Sequence, residues 1–331
     1  MIRRADPPGA GTDTRRPFVE DGGESAMTTE NPAGTAIVFA CDEAYFFLAR
    51  GLVLSLLEAG FADGDGELVL IDIGCGPESL EWMKEHGVEV VEIPPGLVPA
   101  TVEAVIRPAH RALVVRPHLP VLLPQFEHFI WLDCDLWVQD LNFMSAMLHG
   151  ANVAPNDVML APGISHYNVR FYKNFQKMLQ MQRNWYSVGY DPNFVEEMAA
   201  EIHMSAGVFA MRRGSPIWEL WAREIEYLFP IVAQRNPPFL QLAEQMALNV
   251  VAYRSKDFIR LDPLFNFHCN SGGALRLPDG NVVTNTLLPP RKIGVVHLGG
   301  WSALRHLYIE QKLLYRSGEY LTDAERERMA G

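Results

Sequence analysis

Apolar strand-like segments alternate with segments of helical periodicity from residue 35 onward, and this alternation constrains the fold more than any other feature. The run Thr35–Ala40 is continuously apolar, as in a strand buried on both faces of a parallel sheet. Leu68–Ile73 and Val88–Ile93 predict two further strands. Between them, Ala49–Ala59 and Pro77–His86 have helical spacing. This β-α-β-α-β order predicts an α/β fold with a mostly parallel central sheet and flanking helices.

The pattern continues through the later part of the chain. Phe129–Asp135 predicts a strand that ends in carboxylates, and His203–Met211 and Lys292–Leu298 predict two more strands. Gly214–Phe229 and Leu240–Tyr253 predict amphipathic helices. These elements favour one compact domain over two separate ones.

The two ends of the chain differ from this central part. Residues 1–34 are rich in Pro, Gly, Thr and charge, and they lack an apolar pattern that could offset the entropy of ordering. We therefore expect a disordered tail over 1–34, one domain over 35–306 and a helical extension over 307–331. Deleting residues 1–26 is expected to change the melting temperature little.

Composition excludes several functional classes. The 331 residues carry a formal net charge of -12, which disfavours general binding to nucleic acid because phosphate backbones would be repelled. No apolar run reaches the roughly 18 residues of a membrane span. The four cysteines are scattered, with no C-x-x-C pair. We expect a soluble, cytoplasmic protein with buried, reduced thiols.

Two carboxylates follow the apolar run that starts at Phe129, and they carry the strongest chemical signal. Asp133 and Asp135 stand at i and i+2, so on a strand both side chains would face the same side. At the carboxyl end of a parallel strand they would enter the crevice where α/β sheets bind ligands. Hard carboxylate oxygens suit Mg²⁺ or Mn²⁺, which bridge diphosphates.

Two alternatives compete with a metal site. A strand-end turn with solvated aspartates would give the same pattern. The haloacid-dehalogenase phosphatases use D-x-D-x-[TV], with the first Asp as nucleophile, but here the fifth position is Trp137 and the motif lies deep in the chain.

Six segments occur in the order found in one known enzyme family: Phe39–Tyr45, Arg116 with Pro120 and Pro124, the aspartate pair, Met204–Phe209, Glu244–Asn249 and Val296–Trp301. On these segments, from about residue 35 to 306, the chain resembles the family 8 glycosyltransferases. The resemblance implies the GT-A nucleotide-diphospho-sugar transferase fold. It also implies a UDP-sugar donor, a carbohydrate, glycan or other hydroxyl acceptor, Mn²⁺ (or Mg²⁺), and retention of anomeric configuration.

The resemblance assigns the nucleotide end of the donor to the first two segments. Ala40, Asp42 and Tyr45 would hold uracil and ribose, although Ala44 replaces the family asparagine. Tyr45 could equally be a core aromatic at a helix start. The fork of Arg116 suits a phosphate or a partner carboxylate, and both roles stay open.

The resemblance assigns the binding of the donor sugar to the middle segments. Ser205, Ala206 and Gly207 would line its site, with Ser205 where the family has asparagine. Glu244 would contact the sugar hydroxyls and Gln245 would lie beside the anomeric carbon. These two residues, with Asp133, are the predicted catalytic residues. A glycine at a strand bulge and a charged helix face are the alternatives.

The last segment would complete the metal site. His297 would join the two aspartates as the third protein ligand, and Gly300 would belong to the cofactor-binding site. Ala303 stands where the family has a lysine, and Arg305 or His306 could supply the missing charge. A histidine on an apolar strand is also commonly a core residue with its hydrogen bonds satisfied.

Two functions from different classes remain. The first is a UDP-sugar-dependent hexosyltransferase. The second is a catalytically weak nucleotide-sugar-binding protein on the same fold, and it is motivated by the departures at Ala44, Ser205 and Ala303. The aromatic stretch from Tyr167 to Tyr190 could stack on an acceptor sugar or belong to the core.

Overall fold

The computed structural model describes residues 34–299, apart from 63, 155, 164–174, 257, 270–272, 279 and 286–287. The expected tail over 1–34, except Gly34, and the expected extension over 307–331 lie outside the described residues. Gly300 and Ala303 also lie outside them.

A seven-stranded sheet forms the centre of the molecule, in the strand order β3-β2-β1-β4-β7-β6-β8. Strand β7 runs antiparallel to both of its neighbours, and the other adjacent pairs are parallel. The predicted α/β architecture with a mostly parallel sheet is therefore confirmed. The strands of this sheet are β1 Thr35–Cys41, β2 Glu67–Asp72, β3 Val88–Glu92, β4 His128–Leu132, β6 Val158–Pro162, β7 Met204–Arg212 and β8 Ile259–Arg260.

The sheet separates two hydrophobic cores, which explains the continuous apolar character of β1. Ala36, Val38 and Ala40 face one core, and Ile37 and Phe39 face the other. Because side chains alternate along a strand, a central strand between two layers must be apolar at every position.

Helices cover both faces of the sheet, and none within the described residues is long and apolar enough to cross a lipid bilayer. Helices α9 and α10 pack on one core, whereas α1 and α6 pack on the other. The helices are α1 Phe46–Glu58, α2 Pro77–Glu85, α3 Ala100–Glu103, α4 Arg111–Val114, α5 Leu119–Leu122, α6 Asn142–Val153, α7 Phe175–Tyr186, α8 Pro192–Ala200, α9 Ile217–Arg235 and α10 Leu240–Ser255.

A second, three-stranded sheet lies beside the main one, in the order β5-β12-β9. Its strands are β5 Leu136–Val138, β9 Phe267–His268 and β12 Val295–His297. A hairpin of β10 Ala274–Arg276 and β11 Val282–Thr284 follows β9 in the chain.

The strand expected over Phe129–Asp135 is shorter than the sequence predicted. Strand β4 ends at Leu132, and the chain then turns into β5 of the second sheet. The Leu136 amide donates to the Asp133 carbonyl at 3.2 Å, which closes the turn. Asp133 and Asp135 therefore lie in a turn between two sheets, and the expectation that they share one face of a strand is wrong.

Candidate active site

The carboxyl-terminal ends of β1 and β4 open onto a cavity of about 960 Å³. This is the edge at which open α/β sheets bind ligands. Most of the predicted site residues line this cavity: Ala40, Asp42, Tyr45, Arg116, Asp133, Asp135, Ser205, Gln245 and His297. The described residues that line the cavity do not include Ala206, Gly207 and Glu244.

Asp133, Asp135 and His297 form one cluster at the wall of the cavity. Each offers a ligand atom within 4.8 Å of the others. The imidazole reaches the turn because β12 pairs antiparallel with β5 and sets His297 opposite Leu136. His297 Nε2 lies 3.3 Å from Asp135 Oδ1. Two carboxylates and one imidazole are a donor set that suits a divalent cation.

Asn266 fixes the orientation of the His297 ring. The Asn266 Nδ2 amide donates to the Pro162 carbonyl at 3.2 Å, so its Oδ1 must face His297 Nδ1, at 2.8 Å. Because that oxygen can only accept, Nδ1 carries a proton, and Nε2 is the ring nitrogen directed toward Asp135. Such an oxygen partner is the usual support of a metal-binding histidine. Nothing in the local sequence pattern singled out Asn266.

Gly207 provides the space that the cluster occupies. A Cβ placed on it would lie 2.4 Å from Asp133 Oδ2 and 2.9 Å from His297 Cε1. The Gly207 carbonyl also accepts from the Asp133 amide at 2.8 Å and ties β7 to the turn. The glycine is therefore needed for close packing between the strand and the carboxylate-imidazole cluster.

Arg116 is almost fully buried and pairs with two carboxylates. Its Nη2 donates to Asp133 Oδ1 at 2.6 Å, and its Nη1 donates to Glu244 Oε1 and to the Ala206 carbonyl, both at 3.1 Å. The guanidinium carbon lies 4.7 Å from the centre of the Trp131 ring. Burial opposes the charge, but Asp133 and Glu244 outweigh it and raise the pKa of Arg116. Of the two roles left open by the sequence, the structure shows the carboxylate pairing.

Glu244 is 1% exposed and contacts Arg116. Burial raises its pKa to about 7, Arg116 opposes that shift and Asp133 adds to it. The structure shows this carboxylate as an ion-pair partner of Arg116, and the contact with donor hydroxyls stays a prediction.

The Gln245 amide is held at both of its ends. Its Oε1 accepts from the Ala206 amide at 3.1 Å, and its Nε2 lies 2.8 Å from His203 Nε2. Burial lowers the pKa of His203 to about 4, so the ring is neutral near pH 7. Its Nε2 therefore accepts from Gln245, and its Nδ1 donates to the Tyr186 hydroxyl at 3.2 Å. The sequence marked His203 only as a strand boundary.

The remaining predicted site residues line the cavity or take part in hydrogen bonds with nearby backbone groups. Asp42 Oδ1 accepts from the Tyr45 amide at 3.0 Å just before α1, and both side chains are half-buried. Ser205 Oγ accepts from the Gly207 amide at 3.1 Å. Ala206 is fully buried and acts only through its carbonyl and amide.

Comparison with solved structures finds the same fold in a glycosyltransferase. The galactosyltransferase LgtC, in complex with donor and acceptor sugar analogues, matches with a TM-score of 0.51 and 18% identity over 88% of this chain and 99% of its own. An active-site mutant of LgtC, in which glutamate replaces a glutamine, matches with a TM-score of 0.50 and 17% identity over 89% and 99%. No protein-family model and no curated protein matches the chain. The chain therefore has the GT-A glycosyltransferase fold that the sequence predicts.

Proposed function

We propose that this protein is a metal-dependent glycosyltransferase that moves a hexosyl group from a UDP-sugar to a hydroxyl acceptor, with retention of anomeric configuration. The observation that carries the proposal is the cluster of Asp133, Asp135 and His297 on the wall of a large cavity in a GT-A fold. The LgtC structure, which binds donor and acceptor sugar analogues, adds support from a protein of the same fold.

The residues of the cluster fit Mn²⁺ or Mg²⁺. Gly207 leaves the space beside Asp133 Oδ2, and Asn266 binds Nδ1 of His297, so that Nε2 is the ring nitrogen directed toward the cluster. The imidazole favours Mn²⁺ over Mg²⁺, because it is a softer ligand than a carboxylate. A cation held by these three side chains would offset the charge that develops on the departing diphosphate.

The other residues of the chain hold and orient this centre. Arg116 binds one oxygen of Asp133 and so fixes the direction of the second, and Glu244 holds Arg116 in turn. Gln245, fixed by Ala206 and His203, presents a rigid amide to the cavity, where the anomeric carbon of the donor would lie. Asp42 and Tyr45 line the end of the cavity proposed for the nucleoside.

A screen of UDP-sugars for UDP release with Mn²⁺ tests the proposal. Asp133→Asn and Asp135→Asn should each remove most of the release, because they lower the charge on the cation ligands. Asp65→Asn is the matched control, since among the described residues its carboxylate accepts from the Ala62 amide in an exposed turn, away from the cavity. Release by Asp133→Asn at the wild-type rate and the same metal concentration would contradict the assignment.

A nucleotide-sugar-binding protein without turnover is the second candidate. The pairing of Arg116 with two carboxylates favours it, because that cation is then committed inside the protein. Mn²⁺-dependent binding of UDP, together with no UDP release from any donor, would establish this function.

A further inference from the structure

The cavity continues beyond the predicted donor site along one face of α7. Phe175, Met178, Leu179, Gln182 and Trp185 all line it, and their spacing places them on one face of the helix. Phe175 is 46% exposed, although such large apolar side chains are usually covered. Gln182 is the one polar residue among those that α7 contributes to the cavity within the described chain.

Two further leucines complete an apolar wall. Leu113 comes from α4 and Leu242 from α10, and both are half-buried against the same core as Trp185. Leu242 precedes Gln245 by three residues, so the two side chains are neighbours on the surface of α10. The apolar wall therefore meets the proposed reaction centre directly and is part of the same cavity.

Gln182 has a buried side-chain oxygen without a hydrogen-bond partner among the described residues. The side chain is 7% exposed, and its Oε1 is buried with no hydrogen-bond partner among the described residues. Buried polar atoms are nearly always paired, and an unpaired one is costly to the folded state. Gln182 also lines the cavity, so a ligand there that donates a hydrogen bond would supply the missing partner.

We propose that this wall, defined as Leu113, Phe175, Met178, Leu179, Trp185 and Leu242, binds the apolar aglycone of the acceptor, and that Gln182 accepts a hydrogen bond from it. The inference rests on the proposed glycosyl transfer and names its acceptor class. The acceptor is an alkyl or aryl glycoside, or a similar amphiphilic hydroxyl compound. Its hydroxyl lies at Gln245 and its apolar end lies on α7.

Two measurements on the full chain test the proposal. Calorimetry compares the binding of methyl, hexyl and octyl glycosides of one sugar to protein with UDP and Mn²⁺, below the concentration at which micelles form. UDP release is followed with the same glycosides as acceptors. Complete burial strengthens binding about fourfold per methylene, so the octyl compound should bind at least roughly tenfold more tightly than the methyl compound.

Leu179→Gln should reduce this octyl-to-methyl ratio by roughly fivefold, because it replaces part of the wall with an amide. Leu220→Gln is the matched control: Leu220 is 41% exposed on α9 and does not line the described cavity. An equal octyl-to-methyl ratio in wild type and Leu179→Gln would overturn the proposal that this wall binds the aglycone.

Gln182→Leu separates a binding role from a structural one. Loss of the unpaired oxygen should raise the melting temperature, while octyl glycoside binding should weaken roughly fivefold. Gln176→Leu, at an exposed glutamine of the same helix, should leave that binding unchanged. A raised melting temperature with unaltered glycoside binding would overturn the assignment of Gln182.

The outcomes distinguish this inference from the proposed function. UDP release that does not depend on chain length would leave the transferase standing and overturn the apolar subsite. Chain-length-dependent binding without UDP release would support the subsite and overturn the transferase.

Discussion

Gly207→Ala tests the arrangement of the cluster more sharply than the loss of any ligand, because it adds one methyl group and removes nothing. The new Cβ would lie 2.4 Å from Asp133 Oδ2, and this contact must open to at least 3.0 Å. Asp133 cannot move freely, since Arg116 and Trp131 hold its other oxygen at 2.6 Å and 2.9 Å. Overpacking of this kind costs about 1–3 kcal/mol, so Mn²⁺ affinity should fall roughly ten- to hundredfold.

Titration of Mn²⁺ in the presence of UDP measures the effect. Gly51→Ala is the matched control, because a Cβ on Gly51 meets nothing within 4 Å and the residue lies inside α1. That control should bind Mn²⁺ as wild type does and should be as stable or more stable, since alanine favours helix over glycine.

Wild-type Mn²⁺ affinity in Gly207→Ala would refute the reasoning. It would mean that Asp133 Oδ2 does not take part in the metal site, or that β7 moves away from the turn and leaves the metal site intact. A lower melting temperature with unchanged metal binding would point to the second explanation.

Three further predictions follow from partners that the sequence did not reveal. Asn266→Leu should weaken Mn²⁺ binding roughly 10–100-fold, as titration would show, because His297 loses the oxygen that fixes its tautomer. His203→Leu should lower UDP release roughly tenfold while Mn²⁺ binding is kept, because the Gln245 amide loses its acceptor; unchanged release would contradict this role. Burial raises the Glu244 pKa from 4.5 to about 7, so the folded protein keeps a proton that the unfolded chain releases at lower pH. The stability of wild type relative to Glu244→Gln, measured by urea unfolding, should therefore fall as pH rises toward 7.

The sequence predicted the elements whose apolar pattern is long and local. Strand β1 was predicted over residues 35–40 and is present over 35–41, and α10 begins at residue 240 as predicted. The second sheet was missed, because β9 is only two residues long and cannot show a period. The antiparallel direction of β7 was also missed, because strand direction depends on long-range connections that a local pattern does not carry.

Local sequence patterns also fail to show which distant residues pair at the site. Motifs indicated Asp133, Asp135 and His297, and the structure brings their ligand atoms within 4.8 Å. The pairing of Arg116 with Glu244 spans 128 residues, and no local pattern indicated it, while the sugar contact expected of Glu244 stays a prediction. A residue type predicts which chemistry is available, but its partner depends on which elements pack together.

The cluster draws two of its members from one turn and the third from a strand of the second sheet. The distance between the imidazole and the two carboxylates therefore depends on one residue pair of the β5–β12 pairing, in which His297 lies opposite Leu136. A slip of one residue in that pairing would set Val296 or Leu298 there and turn the imidazole to the opposite face. One residue inserted into β12 should thus be more damaging than most side-chain changes near the cavity. Length changes in the connections outside the strands, in contrast, leave this register free to form.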